Sequence, residues 1–272
     1  KYDKYDYSII ECLLAGGTEI AFPDYTNFNG FRAWPVVEIK NTAFRDIKFT
    51  GDFKMNNLEV VNKYEFVESI FDGIFSCEKV KNVGHQAFEN SVFEGAFNCP
   101  NLHTIGQYAF RYSVFDGAFE CPNLQAVGNE AFFYSVFNGA FECLNVQTVE
   151  SGAFLYSVFD GAFDCPNVQT VGNLAFVNSQ FNGDFNCPNL QAVGDYAFYN
   201  SVFIGDFNCP NLQTVGDYAF LHSNFNSITI GANATLGTGC IGAHSAEFIQ
   251  DYADNGKLSG TYVWDEATQH WI

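Results

Sequence analysis

The sequence predicts a single elongated solenoid, in which stacked repeats bury their apolar faces against one another. Three observations predict it. A unit that begins Cys-Pro-Asn-Leu, or a close variant, recurs every 22 residues from Cys77 to Cys209. Each unit places phenylalanine at fixed positions, which accounts for most of the 31 Phe in the chain. Glycine also recurs at fixed positions, as close backbone approach and tight turns require.

Relaxing the requirement for cysteine extends the repeat toward the N-terminus. Met55 and Ala33 occupy the cysteine position, so we count nine repeats over residues 33–230. Residues 1–32 do not fit the repeat and predict an N-terminal cap that covers the apolar end of the rod. Within this cap we expect a short amphipathic helix at 8–15 and a strand at 19–22.

Residues 231–272 leave the repeat and predict a C-terminal cap. Residues 245–252 have the pattern of a short capped helix that ends before Asn255-Gly256. Residues 261–264 and 270–272 predict a terminal β-hairpin.

Within a unit, the alternation of apolar and polar residues predicts where side chains point. Phe203, Phe207 and Cys209 share one parity, so we expect them to face inward on one strand per repeat, and the repeats to build one parallel sheet. Residues 194–198 predict a single helical turn on the other side of the coil. We expect Ser201 to hydrogen-bond a backbone carbonyl, and the Asn after each Pro to bond the backbone of a neighbouring coil.

The overall charge excludes some classes of partner. The chain has 12 basic and 31 acidic residues, a net charge of −19. A surface that binds nucleic acid or anionic lipid must be basic, so we expect neither partner. No run of about 18 apolar residues predicts a membrane span. The sequence begins at Lys1 without an apolar signal segment, and we expect a targeting segment to have been removed before this numbering starts.

Nine cysteines, seven of them at one repeat position, do not predict a disulfide framework. Equivalent residues of stacked strands lie about 4.8 Å apart with parallel Cβ directions, which exceeds the usual Cβ separation in a disulfide. We therefore expect a column of buried free thiols that pack as small apolar groups. A bridge that involves Cys12 or Cys240 stays open.

Two stretches resemble a known family. Val-Gly-Asp-Tyr-Ala-Phe at 215–220, followed by Asn-Ser-Ile-Thr-Ile at 226–230, resembles the BspA-type leucine-rich repeat, and residues 252–264 are similar to tails of its bacterial members. The resemblance covers residues 33–272, although the unit has 22 residues where 23 is commoner in the family. It implies a right-handed leucine-rich-repeat solenoid on a secreted or surface-anchored bacterial protein. It also implies adhesion and protein binding, not catalysis.

No sequence motif indicates an enzyme. We find no nucleophile elbow, phosphate-binding loop or zinc-protease motif. The five histidines are scattered singly, without the spacing of metal ligands. Paired-acid glycosidase chemistry needs a cleft, which a ladder of strands does not offer. We therefore predict no catalytic site and no metal site.

Carboxylates on the predicted strand face fall into two columns. Glu120, Glu142 and Asp164 occupy one position of three successive repeats, and Asp116 and Asp160 share another that asparagine interrupts. Like charges about 5 Å apart are unfavourable unless water or a cation screens them. We expect a solvated acidic face and predict no cofactor. A Ca²⁺ site or a surface for a basic partner is the alternative.

The two residues after each Ala-Phe vary within an otherwise nearly copied unit, which indicates that packing does not dictate them. Tyr112, Tyr134 and Tyr156 share one of these positions and predict an aromatic column, with Phe133 and Tyr199 at the other. Aromatic side chains dominate protein interfaces, so we select these residues as candidate binding residues. The alternative is that the rings stack only to protect the edge of the rod.

From these observations we predict a monomeric, extracellular or surface-anchored binding protein. Its repeat surface would contact a protein or glycoprotein of a host or neighbouring cell. Two alternatives stay open: a glycan-binding module that uses the stacked tyrosines, and an architectural spacer that binds nothing.

Overall fold

The repeats fold into a parallel β-solenoid of about eight turns, which confirms the predicted fold class. The computed structural model describes residues 44–55, 58–205, 207–224 and 227–272 in full, and the backbone of three short strands nearer the N-terminus. Strands at equivalent positions of successive repeats pair in parallel with a register shift of one repeat, as Val114 with Val136 shows.

Each repeat contains three short strands, not the single strand that the sequence predicts. In one central repeat these are Val136–Phe137, Phe141–Glu142 and Thr148–Val149. The chain bends at Asn138-Gly139, which divides the expected extended segment into two strands. The inward parity survives the bend, because Phe137, Phe141 and Cys143 are all buried.

The strands build three parallel sheets within the described residues. Sheet 1 comprises Thr18–Ala21, Ile47–Thr50, Ile70–Phe71, Val92–Phe93, Val114–Phe115, Val136–Phe137, Val158–Phe159, Gln180–Phe181 and Val202–Phe203. Sheet 2 comprises Phe53–Lys54, Phe75–Ser76, Phe97–Asn98, Phe119–Glu120, Phe141–Glu142, Phe163–Asp164, Phe185–Asn186 and Phe207–Asn208. Sheet 3 comprises Ile9–Ile10, Glu38–Ile39, Val60–Val61, Asn82–Val83, Thr104–Ile105, Ala126–Val127, Thr148–Val149, Thr170–Val171, Ala192–Val193, Thr214–Val215 and Thr235–Leu236.

The predicted helical turn is instead a chain of tight turns. In residues 130–134 the φ angles of Glu130 and Tyr134 are +52° and +56°, which no α-helix contains. Phe133 donates its N–H within the coil, to Glu130 O at 3.2 Å, whereas Phe132 donates to Ala153 O of the next coil at 2.9 Å. In a helical turn, both N–H groups would bond to carbonyls of the same coil. The tight turns instead direct one of the two to a carbonyl of the next coil, so they also join the two coils.

The core consists of phenylalanine columns that run along the rod. The Phe137 ring lies 4.9 Å from both Phe115 and Phe159, nearly parallel to each. Across the coil, Phe141 and Phe154 meet edge to face at 5.3 Å. The stacking distance equals the spacing of paired strands, so identical rings fit one above another without adjustment.

Two polar columns satisfy the backbone of the stacked coils. The buried Ser179 hydroxyl donates to Phe154 O at 2.7 Å and accepts the Ser157 N–H at 3.2 Å. Asn167 Nδ2 donates to Leu144 O of the preceding coil at 2.7 Å. Both patterns recur along the rod, and both roles follow from the sequence pattern.

Glycine at the bend permits the closest approach of neighbouring coils. A Cβ added to Gly139 would lie 2.4 Å from Gly117 O and 2.5 Å from Gly117 C. These atoms belong to the backbone of the preceding coil and have no side-chain freedom with which to move aside. The same contact recurs from Gly73 to Gly205, so the whole column excludes a side chain.

The seven repeat cysteines are free, buried thiols, as expected, and so is Cys240, whose state the sequence left open. The side chain of Cys12 lies outside the described residues. Burial raises the pKa of Cys121 and Cys143 above the ordinary thiol value of 9.0. The thiolate is therefore suppressed in the folded chain, and these cysteines pack as apolar groups.

At the C-terminal end, the helix Ser245–Asp254 follows a short 3₁₀ turn, Gly242–His244. The hairpin strands Gly260–Asp265 and His270–Trp271 pair antiparallel, and the first also pairs with Ser227–Ile230. At the N-terminal end the predicted helix at 8–15 is wrong where it can be tested, because Ile9–Ile10 is a strand of sheet 3. The rest of that predicted helix lies outside the described residues, and the boundaries at 32 and 230 stay predictions.

We expect Gly139→Ala to lower the free energy of unfolding by about 2 to 3 kcal/mol, because the methyl group overpacks against backbone. Urea unfolding followed by circular dichroism measures the change. The matched control is Ala140→Asp, one residue along the same bend, since Asp184 occupies that position in another repeat. The control should alter stability by less than about 0.5 kcal/mol. Equal losses in the two variants would contradict the account.

Raised thiol pKa values predict a loss of stability in alkali. A buried thiol contributes its full stabilisation below the pKa of the unfolded thiol, and this is lost as pH rises toward the folded pKa. Above pH 9, Cys143→Ala should therefore reduce the downward slope of unfolding free energy against pH by about 1.4 kcal/mol per pH unit. Urea unfolding at several pH values under reducing conditions tests this. Val146→Ala, a control without a titrating group, should keep the wild-type slope.

Candidate binding surface

Three tyrosines form the predicted column on the turn side of the rod. The rings of Tyr112 and Tyr134 have centroids 5.5 Å apart, and those of Tyr134 and Tyr156 are parallel at 4.5 Å. The exposed fractions of Tyr112, Tyr134 and Tyr156 are 39%, 46% and 38%. The column is thus a solvent-facing aromatic ladder, one ring per coil.

The backbone at these tyrosines adopts a conformation that suits them poorly. Their φ angles are +60°, +56° and +59°, in the left-handed region. A left-handed backbone is unfavourable by about 1 to 2 kcal/mol for most residues with a side chain, and asparagine tolerates it best. Asparagine does occupy this position in neighbouring repeats with the same backbone, namely Asn90, Asn178 and Asn200. Backbone preference therefore favours asparagine, and the three tyrosines are present despite it.

Arg111 packs beside the first ring of the column. Its guanidinium carbon lies 4.7 Å from the centre of the Tyr112 ring and 5.4 Å from that of Phe133. One guanidinium nitrogen donates to the Tyr112 hydroxyl at 3.1 Å, and another lies 3.7 Å from Glu89. The hydrogen bond to Tyr112 raises the pKa of Arg111 above its ordinary value. Sequence reasoning missed Arg111 as a site residue, although a cation beside an aromatic column in so acidic a chain was a usable signal.

At its other end the column gives way to amides. Asn178 follows Tyr156 at the same position, and Asn200 Nδ2 donates to Asn178 Oδ1 at 2.6 Å. The aromatic ladder is therefore three rings long, because Asn90 precedes it and Asn178 follows it at the same repeat position.

At its centre the ladder offers ring edges and hydroxyl groups to a partner, not open ring faces. Both faces of Tyr134 are covered, by Tyr112 on one side and Tyr156 on the other. Phe133 packs edge to face against Tyr134 at 4.7 Å and supports the ladder from its side. Among the described residues, no protein group hydrogen-bonds the hydroxyl of Tyr134 or Tyr156.

Tyr199, also selected from the sequence, does not join this ladder. It lies three repeats beyond Phe133 and packs with Tyr196 at 5.9 Å and His222 at 5.4 Å. Tyr196 in turn lies 5.2 Å from Tyr218. These residues form a second, looser aromatic group nearer the C-terminus.

Glu120, Glu142 and Asp164 are in register on three adjacent strands of sheet 2. Asn98 Nδ2 donates to Glu120 Oε2 at 3.1 Å, so an amide borders the column. Among the described residues, no group of three His, Cys, Asp or Glu side chains is arranged to hold a metal ion. Glu142 is exposed, and Glu120 and Asp164 are partly buried.

Asp116 and Asp160 lie elsewhere, just after strands of sheet 1. Asn138 Nδ2 donates to Asp116 Oδ1 at 2.5 Å, and Asn182 donates in the same way to Asp160. Asn138 stands between the two carboxylates, which separates their charges by two coils. Each carboxylate is positioned by an amide and stays exposed.

The family model described as BspA type leucine rich repeat region matches this chain in six copies, over residues 37–160 and 147–249. The chain belongs to the BspA-type leucine-rich repeat family. This confirms the resemblance seen in the repeat itself.

Two solved structures are similar to this BspA-type chain. A leucine-rich repeat protein from Bacteroides ovatus is 17% identical, with a TM-score of 0.49, over 87% of this chain and 58% of its own. The pneumococcal vaccine antigen PcpA is 12% identical, with a TM-score of 0.26, over 86% of this chain and 76% of its own. The chain therefore spans under two thirds of the Bacteroides protein. No curated protein matches it. Within the described residues, no helix has the length and apolar character needed to cross a membrane.

We expect Tyr134→Asn to change the free energy of unfolding by less than about 1 kcal/mol. Relief of the left-handed backbone, worth about 1 kcal/mol, offsets the lost ring stacking of about 0.5 to 1.5 kcal/mol. Urea unfolding measures the change, with Phe154→Ala as the contrasting variant, because loss of a buried ring should reduce stability by about 3 to 5 kcal/mol. A comparable loss for Tyr134→Asn would make Tyr134 a structural residue.

Proposed function

We propose that this chain is an extracellular or surface-anchored protein that binds another protein through the tyrosine ladder. One observation carries the proposal: three successive repeats place an exposed tyrosine where the left-handed backbone favours asparagine. The left-handed turn itself recurs in other coils, as at Asn90 and Asn178, so the tyrosine side chains and not the backbone distinguish these three repeats. The family is typically secreted or surface-located in bacteria, which supports the proposed location.

The alternative of a purely protective edge explains the ladder less well. Neighbouring repeats form the same turn with asparagine, and Asn200 and Asn178 hydrogen-bond to each other there. The edge is therefore closed without aromatic rings. Leaving three rings more than a third exposed is unfavourable for a surface with no partner.

A protein partner fits the ladder better than a glycan. Sugar rings usually stack on an open aromatic face, and both faces of Tyr134 are covered by neighbouring rings. The Arg111 guanidinium carbon also lies 4.7 Å from the centre of the Tyr112 ring. At the centre of the ladder, only ring edges and hydroxyl groups are accessible, the type of surface that dominates protein interfaces. Leucine-rich-repeat solenoids are typically non-enzymatic, and we propose no catalytic activity.

The test is binding of the purified chain to immobilised extracellular-matrix proteins and mucin glycoproteins, measured by biolayer interferometry. The variant Y112N/Y134N/Y156N installs the residue that neighbouring repeats already use, so it should fold with nearly unchanged stability. We expect it to lose about 2 kcal/mol or more of binding free energy, roughly thirtyfold in affinity.

The matched control is Y196Q/Y218Q, which removes two tyrosines of the second aromatic group. Glutamine is compatible there, because Gln86 occupies the same position with the same left-handed backbone. The control should bind like the wild type. Equal binding by all three proteins would contradict the ladder as the site, and loss of binding on removal of glycans from the mucins would favour the glycan alternative.

A further inference from the structure

The tyrosine ladder is one side of a wider exposed patch. Along the chain from Tyr112, residues alternate strictly between outside and inside: Ser113 and Phe115 are buried, whereas Val114 and Asp116 reach the surface. Val114 is the outward residue of the sheet 1 strand, Tyr112 lies in the turn before it, and Asp116 lies at the bend after it. The outer surface of this coil therefore presents Tyr, Val and Asp in sequence.

The next two coils present the same row. Val136 pairs in register with both Val114 and Val158 on sheet 1. The flanking outward residues follow that register, so three rows of three side chains form one patch. We name this the Tyr–Val–Asp patch; it comprises Tyr112, Val114, Asp116, Tyr134, Val136, Asn138, Tyr156, Val158 and Asp160.

The patch is apolar at one side and acidic at the other. Its two carboxylates are fixed by amides, through Asn138 to Asp116 and Asn182 to Asp160, yet both stay exposed. The neighbouring cation, Arg111, is engaged by Tyr112 and Glu89 and does not neutralise them. The patch therefore has a net negative charge, within a chain of net charge −19.

We propose that the Tyr–Val–Asp patch binds a cationic polypeptide segment, with apolar side chains on the Tyr and Val columns and Lys or Arg on Asp116 and Asp160. The inference rests on the proposed function and names the chemistry of its partner. The tyrosine and valine columns supply desolvated contact area, and the carboxylates supply orientation and charge selection.

The spacing of the carboxylates adds a geometric requirement. They lie two coils apart, about 10 Å at the spacing of paired strands. A polyproline II segment places residues i and i+3 on one side about 9.3 Å apart, which matches that separation. Two cations three residues apart in a proline-containing segment therefore reach both carboxylates at once.

The experiment uses three fluorescein-labelled peptides and measures binding by fluorescence anisotropy. The probe is PLKPLKPL, and the controls replace both lysines with glutamine or with glutamate. The proteins are the wild type, Y112N/Y134N/Y156N, D116N/D160N and E120Q/E142Q. Asparagine is compatible at 116 and 160, because Asn138 and Asn182 occupy the same position in other repeats. E120Q/E142Q removes an equal charge from sheet 2, outside the patch.

We expect the lysine peptide to bind the wild type, and the glutamine and glutamate peptides to bind at least about tenfold more weakly. D116N/D160N should weaken lysine-peptide binding roughly three- to tenfold and reduce its dependence on salt, in line with two partly exposed ion pairs. E120Q/E142Q should leave it within about twofold.

Several results would overturn the inference. One is that the wild type shows no preference for the lysine peptide. Another is that D116N/D160N and E120Q/E142Q weaken binding equally. A third is a wild-type dimer that Y112N/Y134N/Y156N abolishes, which would make a second copy of the chain the occupant of the patch. If the tyrosine variant alone loses matrix or mucin binding while D116N/D160N does not, the proposed function survives and only the cationic partner is wrong. If neither variant affects any binding, both proposals fail.

Discussion

Hydrogen bonding between successive coils constrains every other feature of this protein. In the turn of each coil, N–H groups alternate between partners in the same coil and carbonyls of the next, as Phe133 and Phe132 show, whereas Val136 donates to Ser113 O of the preceding coil. The bonds hold equivalent residues about 4.8 Å apart, so each position of the repeat meets its own copies above and below. A residue type is acceptable at an inward position only if it packs against itself at that distance.

That requirement explains the composition of the core. Phenylalanine rings stack parallel at this spacing, as Phe132 on Phe154 at 4.9 Å shows, and serine hydroxyls bridge one coil to the next. Cysteine satisfies it as a small apolar group. Stacked cysteines do not form disulfides, because their Cβ directions are parallel. Glycine satisfies it at the bend by having no side chain. The near-identity of successive units is therefore a consequence of packing against a copy.

Much of this was predictable from the sequence, because the period alone determines which residues stack. The solenoid, the inward phenylalanines, the free thiols and the C-terminal helix all follow from repetition and alternation. The number of strands per repeat could not be predicted. The bend at Asn138-Gly139 does not change which residues face inward, so the alternation of apolar and polar residues does not reveal it. The helical turn was also mispredicted, because local spacing cannot reveal that alternate N–H groups bond to the next coil.

The candidate surface was predictable only in part. Variation after Ala-Phe correctly indicated that Tyr112, Tyr134 and Tyr156 lie outside the core, and repetition indicated that they stack. The sequence did not reveal the left-handed backbone at these tyrosines, nor the contacts of Arg111 with the first ring of the ladder. Both are seen only in the structure. The sequence also treated the tyrosine column and the aspartates as rival surfaces. The proposed Tyr–Val–Asp patch instead combines the tyrosines with Asp116 and Asp160 in one surface.

The left-handed turn has a consequence for how such a surface can evolve. It lies outside the core, and its backbone accepts asparagine, tyrosine, glutamate or histidine in different coils. Duplication of one genetic unit would therefore add a coil, lengthen the ladder by one ring and advance the surface by a fixed step, with no contact elsewhere to redesign. In this architecture the binding area increases by whole repeats, whereas the chemistry of the surface changes through single substitutions at the turn.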